Sequence, residues 1–174
     1  TFNLQVTTPG TVSLGVASSS PLAKPNSQTL CSSANYQVEF VDSGFFFSIP
    51  TQLANKESQL VTVTARRRNP DTQKCEPSFK SVKRNVSFWS DYLNPGPAEI
   101  QGTPQMALRY NTADTAPELV STASATATVV PLDFDANAQA KIWVRYPDAG
   151  KLRLNASHFS EEAYAVGSAS FVSK

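Results

Sequence analysis

Oxygen-bearing side chains at alternate positions form the pattern in the sequence that most resembles a metal-binding site. Asp133, Asp135 and Asn137 have the spacing of the first three ligands of a calcium loop. An EF-hand also needs glycine at its sixth position and glutamate at its twelfth, where this chain has Ala138 and Val144. The EF-hand is therefore excluded. Two interpretations remain, a looser surface calcium site and a polar turn between two strands.

The single histidine, His158, lies close in sequence to Glu161 and Glu162. An acid–base or metal site would need such groups to converge from different strands, and adjacent carboxylates on one loop point apart. No Gly-rich phosphate loop, nucleophile elbow or paired His/Cys cluster accompanies them. We therefore expect a protein that is not an enzyme and has no cofactor.

Two further groups are candidates for a ligand surface. Arg66, Arg67 and Arg68 end a predicted strand and either contact an anionic glycan or acidic partner or protect a sheet edge from aggregation. Trp143 falls on the outward face of its predicted strand, and with Tyr92 it could stack on a sugar or anchor a protein partner. The alternative for Trp143 is packing beneath a loop or an N-terminal layer.

The cysteine content predicts the cellular compartment, and the net charge limits the classes of partner. Cys31 and Cys75 are the two cysteines, and in a Ser/Thr-rich chain they predict one disulfide and export through an oxidising compartment; two buried free thiols are the alternative. The net charge is +1, so no overall field attracts nucleic acid or an anionic membrane. No apolar run reaches the roughly 18 residues of a membrane span, which argues against direct membrane insertion.

These candidate residues lie on segments with a period of two, which is typical of half-buried strands. Residues 139–146 point Ala140, Ile142, Val144 and Tyr146 to one side, and residues 151–156 do the same with Leu152, Leu154 and Ala156. The turn-like residues 147–150 between them predict that these two strands are neighbours. Further strands are expected at residues 45–49, 61–65, 83–89, 105–110, 122–130 and 168–172; the Ala-rich residues 122–130 leave a helix as the alternative.

The chain is expected to contain two parts. In residues 1–43, Thr8-Pro9-Gly10 predicts a hairpin between residues 2–6 and 11–17. This part is either an extra β layer or the end of a preceding domain. Residues 44–174 have the strand number and spacing of an all-β, immunoglobulin-like antiparallel β-sandwich. Trp89 is expected to fill its core, and residues 148–152 are similar to the start of the sixth strand of immunoglobulin domains, with Leu152 where the corner tyrosine stands.

Several segments resemble, in order, the C-terminal region of MshQ-type proteins of the mannose-sensitive haemagglutinin (MSHA) type IV pilus system. They are Phe-Phe-Phe-Ser-Ile-Pro at residues 45–50, Val-Thr-Val-Thr-Ala at 61–65, Lys-Cys-Glu-Pro-Ser-Phe at 74–79, Val-Ser-Phe-Trp-Ser-Asp-Tyr-Leu-Asn-Pro at 86–95, Leu-Asp-Phe-Asp-Ala-Asn at 132–137 and Tyr-Pro-Asp-Ala-Gly at 146–150.

The resemblance implies a large exported bacterial protein, built of β modules and associated with a pilus at the cell surface. The expected function is a non-catalytic structural or adhesive module whose partners are pilus components or neighbouring modules of the same chain. A carbohydrate-binding module that holds a surface glycan, with calcium assisting, is the alternative. The resemblance supplies no catalytic residues.

Overall fold

The computed structural model describes residues 10–13, 37–40, 43–69, 71–72, 74–94, 102, 104–160 and 164–174. Within them the regular structure is almost entirely β, with one short 3-10 helix, which confirms the predicted all-β class. The chain divides into two compact units, Thr1–Asp42 and Ser43–Lys174. Among the described residues, none forms a helix with the length and hydropathy that a membrane span requires.

The described residues form twelve strands. In chain order they are β1 (Gly10–Ser13), β2 (Gln37–Phe40), β3 (Ser43–Phe46), β4 (Val61–Arg68), β5 (Cys75–Pro77), β6 (Val82–Asn94), β7 (Ala107–Tyr110), β8 (Glu118–Leu119), β9 (Thr128–Phe134), β10 (Gln139–Arg145), β11 (Gly150–Phe159) and β12 (Tyr164–Ser173).

The first unit contains one described strand pair. β1 and β2 are antiparallel, with Gly10 opposite Phe40 and Ser13 opposite Gln37. The predicted hairpin between residues 2–6 and 11–17 lies mostly outside the described residues.

The second unit is one sheet whose two halves enclose a single core. One half has the strand order β8-β7-β10-β4-β3, and the other continues as β12-β11-β6-β9. β3 joins the halves, because it is antiparallel to β4 and also bridges β12 in parallel at Gly44 and Val166. β5 is a short edge strand that pairs with the last three residues of β4. A β-sandwich of this kind is immunoglobulin-like, as predicted.

Alternation places the apolar side chains of the sheet on its inner face. The residues that the sequence predicted to face inward on β4, β10 and β11 are all buried: Val61, Val63, Ala65, Ala140, Ile142, Val144, Tyr146, Leu152, Leu154 and Ala156. Each fully buried leucine or valine contributes about 1.5–3 kcal/mol relative to an exposed position. The core is therefore specified by the period-two pattern.

β12 approaches β3 so closely that only glycine fits at one position. A Cβ atom added to Gly167 would lie 2.1 Å from the carbonyl oxygen of Phe45. Gly167 lies opposite Ala156 of β11, so the absence of a side chain there lets β3 cover the end of the core.

The prediction that the strands of residues 139–146 and 151–156 are neighbours is wrong. β10 pairs with β4 and β7, whereas β11 pairs with β6 and β12, so the two strands lie in opposite halves of the sheet. Residues 147–150 cross from one half to the other. Turn-forming residues identify a change of direction, and they do not determine whether the chain returns beside its own strand.

The strand predicted at residues 122–130 begins only at Thr128. Residues Ser124–Thr126 form a 3-10 helix instead, because hydroxyl groups there bind locally. The Ser121 hydroxyl accepts the N–H of Ala123 at 3.1 Å and lies 2.8 Å from the Thr126 hydroxyl. Local hydrogen bonds of the Ser/Thr hydroxyl groups therefore compete with strand formation here, and the alternation with alanine does not show which one prevails.

Candidate functional site

The two aromatic residues predicted to form a ligand surface lie in opposite halves of the sheet. Trp143 is half-buried on β10, opposite Arg109, whose Nε lies 3.2 Å from Oε2 of Glu57. Tyr92 on β6 packs against the core, with its ring centroid 5.9 Å from that of Tyr146. The Tyr92 hydroxyl donates to the carbonyl of Pro104. Both side chains are half-buried, and a ligand surface at Trp143 and Tyr92 stays a prediction.

Burial dominates the ionisation of the tyrosine pair. It raises the pKa of the Tyr146 phenol well above its usual range, and the neighbouring Tyr92 adds to the effect. Burial also raises the pKa of Tyr92, against a smaller opposing contribution from the hydrogen bond with Tyr146. The Tyr92 phenol is therefore a neutral donor where β6 packs against the core.

The prediction that Trp89 fills the core is wrong. Phe88, its neighbour on β6, is completely buried, whereas Trp89 is half-buried on the opposite face. Trp89 lies opposite Asn155, whose side-chain amide donates to the Asp91 carboxylate at 2.9 Å. Successive residues of a strand face opposite sides, so a shift of one position exchanges the core residue.

The predicted basic patch is partly neutralised by β5. Nε of Arg67 lies 2.7 Å from Glu76, and Arg66 and Arg68 are half-buried on either side. Hydrogen bonds from Asn69 and from Arg67 lower the pKa of the exposed Glu76 carboxyl. An exposed pair of this kind contributes little stability. The structure thus places the arginines at a paired sheet edge.

The predicted disulfide involves β5 as well. Cys75 is exposed and carries a free thiol, while Cys31 lies outside the described residues. The Cys31–Cys75 bond therefore stays a prediction.

The three calcium candidates have other partners in the turn between β9 and β10. The Asp133 carboxylate lies 3.4 Å from Nζ of Lys83, and the Asp135 carboxylate accepts the N–H groups of Asn137 and Gln139 at 2.8 and 2.9 Å. These contacts are those of a polar turn. In the described part of the chain, no group of three or more His, Cys, Asp or Glu side chains is placed to hold a metal ion.

A groove lies where two strands of the second half part from each other. β6 and β11 are paired from Asn94 and Lys151 as far as Ser87 and Ser157, and beyond that point β6 continues with β9 while β11 continues with β12. The resulting space, which we call the fork groove, has a volume of about 420 Å³. It is lined by Lys83, Arg84, Asn85, Ser87, His158 and Phe159.

His158 lines the fork groove from the core side. His158 is only 7% exposed, and its Nδ1 lies 2.7 Å from the carbonyl oxygen of Asn85. Its ring is in edge contact with the ring of Phe79, with the two centroids 5.1 Å apart. Its Nε2 is buried and has no hydrogen-bond partner among the described residues. Buried polar atoms usually have a hydrogen-bond partner, so this nitrogen is unusual among the buried groups that the structure describes.

The rest of the lining is basic, polar and aromatic. The Arg84 guanidinium lies 5.7 Å from the centroid of Phe79, and Lys83 is exposed at the rim. Phe159 is 72% exposed, and its ring contacts that of Tyr164 at 4.5 Å. Together these residues combine donors for an anion with an open aromatic face.

The sequence did not lead us to predict the fork groove, although one feature of the sequence indicated it. It considered His158 only together with Glu161 and Glu162, which lie outside the described residues. His158 continues the inward series of Leu152, Leu154 and Ala156 on β11, and a histidine at an apolar position of a strand indicates a special environment.

The all-β architecture and its two-half core define this chain as an immunoglobulin-like domain. Residues 26–170 match the first Ig-like domain of the family described as "Domain of unknown function (DUF6701)", and the chain belongs to that family. The match starts before the boundary between the two compact units, so the predicted division into residues 1–43 and 44–174 stays a prediction. No curated protein is significantly similar to the chain in sequence.

Solved structures with similarity to the chain are distant. A conjugative transposon lipoprotein from Bacteroides eggerthii DSM 20697 is 5% identical over 75% of this chain and 96% of its own, with a TM-score of 0.42. PapD-like domain 7 of human CEP192 is 6% identical over 77% and 84%, with a TM-score of 0.30. AggA, the major subunit of aggregative adherence fimbriae type I from Escherichia coli, is 9% identical over 76% and 96%, with a TM-score of 0.27.

Proposed function

We propose that this chain is a non-catalytic structural module of an exported bacterial surface protein of the MshQ type, associated with the MSHA pilus. The observation that carries the proposal is the match to a domain that its family numbers as the first Ig-like domain. A numbered Ig-like domain implies at least one further module in the family, which fits a protein assembled from β modules in series.

The segments that carry the MshQ resemblance supply one packing unit of the fold. Phe45, Phe79 and Phe134 come from three of these segments and form a buried aromatic cluster with centroid separations of 5.4–6.2 Å. Aromatic pairs at such separations add about 0.5–1.5 kcal/mol each beyond their buried area. The shared residues therefore support a shared scaffold, and the partners of the module contact its outer faces.

Measuring whether the protein is exposed on the cell surface tests the proposal. The experiment inserts an epitope tag after the exposed Asp114 of the full-length protein and treats intact cells with a protease too large to enter them. We expect loss of the tag from intact cells and its recovery with pili that are sheared from the surface. A cytosolic protein with the same tag is the control. A tag that is cleaved only after lysis would contradict the proposal, and a surface tag that stays with the cells after shearing would contradict the pilus association.

A second candidate function, carbohydrate binding, is favoured by one observation, the exposed ring of Phe159 in the otherwise polar lining of the fork groove. This site differs from the surface predicted around Trp143 and Tyr92. Calcium assistance through Asp133, Asp135 and Asn137 is testable by titrating calcium while the melting temperature is followed. Binding to the native state raises the melting temperature, and an unchanged value at millimolar calcium would remove the ion from the proposal.

A further inference from the structure

We infer that the outer face of β4 and β10 binds an acidic polysaccharide, which is a chain of sugars that carries carboxylate groups. The inference rests on the second candidate function, carbohydrate binding, and gives it a ligand class and a site apart from the fork groove. Alternation turns six side chains of these two paired strands outward, and we call them the basic face: Thr62, Thr64, Arg66, Lys141, Trp143 and Arg145.

The cations of the basic face lack the carboxylate partners that cations have on the outer face of the other half. There, Arg153 lies 4.0 Å from Asp91, and Lys83 lies 3.4 Å from Asp133. None of the three cations of the basic face forms an ion pair with a described residue. Their positive charge can therefore bind a ligand, although the net charge of the whole chain is only +1.

Two acidic side chains lie beside the basic face, and each is bound to a different arginine. The backbone of Glu57 bridges that of Arg145, but the Glu57 carboxylate lies 3.2 Å from Nε of Arg109. Glu76 on β5 lies 2.7 Å from Nε of Arg67. A ligand carboxylate can therefore form charge-assisted hydrogen bonds with the basic face without breaking an ion pair of the protein.

The spacing of the cations favours a polymer over a small acid. Lys141 and Arg145 are exposed and lie four residues apart on β10, which places their Cα atoms about 14 Å apart. A small acid reaches one of them, and a single exposed ion contact contributes little. A chain with repeated carboxylates reaches both, because its second contact forms at a high effective concentration.

The side chains around these cations favour a polysaccharide over a protein or a nucleic acid. The half-buried Trp143 lies between Lys141 and Arg145, and Thr62 lies opposite Lys141. An indole can contact the apolar face of a sugar ring, and a threonine hydroxyl can exchange hydrogen bonds with sugar hydroxyls. Protein interfaces are depleted of charge at their centre, whereas these cations lie on the middle strand of their half. Single-stranded nucleic acid stacks its bases on successive aromatic rings, and the basic face contains one.

Biolayer interferometry on immobilised polymers measures the binding. The experiment compares polygalacturonate with neutral dextran, poly-L-glutamate and single-stranded oligothymidylate. We expect saturable binding of polygalacturonate in about 50 mM NaCl and at least about tenfold weaker binding in about 0.5 M NaCl. The other polymers should bind at least about fivefold more weakly, because dextran lacks the carboxylates and the other two lack sugar hydroxyls along their chains.

Three outcomes of this comparison would overturn the inference. Equal binding of dextran would remove the role of the cations. Equal or tighter binding of poly-L-glutamate or oligothymidylate would assign the face to a protein or a nucleic acid. No binding of polygalacturonate at about 0.5 mM protein and low salt would show that the face is not a polysaccharide site.

Matched variants localise the binding. Lys141→Gln and Arg145→Gln should each weaken polygalacturonate binding about fivefold, because each removes one charge-assisted contact. Lys151→Gln and Arg153→Gln remove an exposed lysine and an exposed arginine from the other half and should leave binding unchanged. Equal losses in these controls would mean that net charge alone causes binding, and the inference would be wrong.

A variant of the fork groove separates this inference from the second candidate function. Phe159→Ser removes the exposed ring of that groove, and we expect it to bind polygalacturonate normally. Loss of binding in Phe159→Ser together with normal binding in Lys141→Gln would contradict the inference and keep carbohydrate binding at the fork groove. Surface localisation is measured independently of these variants, so a failure here leaves the structural proposal standing.

Discussion

The two ends of strand β11 use the same alternation for different purposes. In the first part, Leu152, Leu154 and Ala156 face inward and are at most 1% exposed, with β6 on one side and β12 on the other. At the last inward position, where β6 has left, the residue is His158 instead of an aliphatic side chain. The neighbouring strand therefore decides whether an inward position is sealed core or the wall of a groove.

The contrast explains why a polar residue is accommodated at position 158, whereas a polar or charged residue at position 154 should destabilise the fold. Leu154 belongs to the buried apolar cluster, and a charge placed there loses its hydration without gaining a partner of opposite charge. Around His158, the carbonyl of Asn85 and the fork groove supply polar contacts. Substitutions in and beside β11 test this difference.

Leu154→Asp should abolish folding of the module. The substitution places a carboxylate in a fully buried apolar site, which costs more than about 4 kcal/mol and approaches the whole stability of a domain of this size. Circular dichroism with urea denaturation measures the effect, and Lys151→Asp, at an exposed position of the same strand, is the control. A soluble Leu154→Asp protein with a normal urea transition would show that the first part of β11 is not sealed.

Gly167→Ala should lower the free energy of unfolding by about 2–3 kcal/mol, because the new methyl group overlaps rigid backbone. Its Cβ would lie 2.1 Å from the Phe45 carbonyl oxygen, opposite the last aliphatic position of β11. Gly44→Ala is a matched control on the facing strand, where the nearest atom, the Val166 carbonyl oxygen, is 3.3 Å away. We expect a clearly smaller loss for Gly44→Ala, and equal losses in urea denaturation would contradict the close approach of β12 to β3.

His158→Leu should change the free energy of unfolding by about 1 kcal/mol or less. The variant loses the hydrogen bond to the Asn85 carbonyl, but it also removes the buried Nε2 that lacks a partner, and these effects offset each other. The same urea denaturation measures it. A destabilisation as large as that of a core leucine substitution would mean that His158 belongs to the core and that the two ends of β11 do not differ.

The sequence predicted the faces of the strands better than their neighbours. Period-two alternation identified Val63, Ile142 and Leu154 as inward because burial acts on every second residue. Strand pairing depends on contacts between distant segments, so the same pattern could not tell that β10 and β11 lie in opposite halves. Trp89 was assigned to the core by similarity to the tryptophan of the third strand of immunoglobulin domains, but the register places Phe88 there.

The candidate site was less predictable than the fold. Trp143, Tyr92 and the three arginines were selected by residue type. The structure packs Tyr92 against Tyr146 and pairs Arg67 with Glu76, which the sequence did not indicate. The fork groove depends on where β6 and β11 separate, which is a property of pairing and not of any one residue. An inward histidine was the only local sign of it.

Amide hydrogen exchange along β11 tests the difference between its two ends most directly. Pairing on both sides predicts slow exchange, averaged over Leu152 to Ser157. Exchange should be at least about tenfold faster at whichever of His158 and Phe159 directs its N–H toward β6, because the other one is still paired with β12. NMR of the folded chain resolves the individual amides. Uniform slow exchange through Phe159 would show that β6 and β11 stay together, and the fork groove would then not exist.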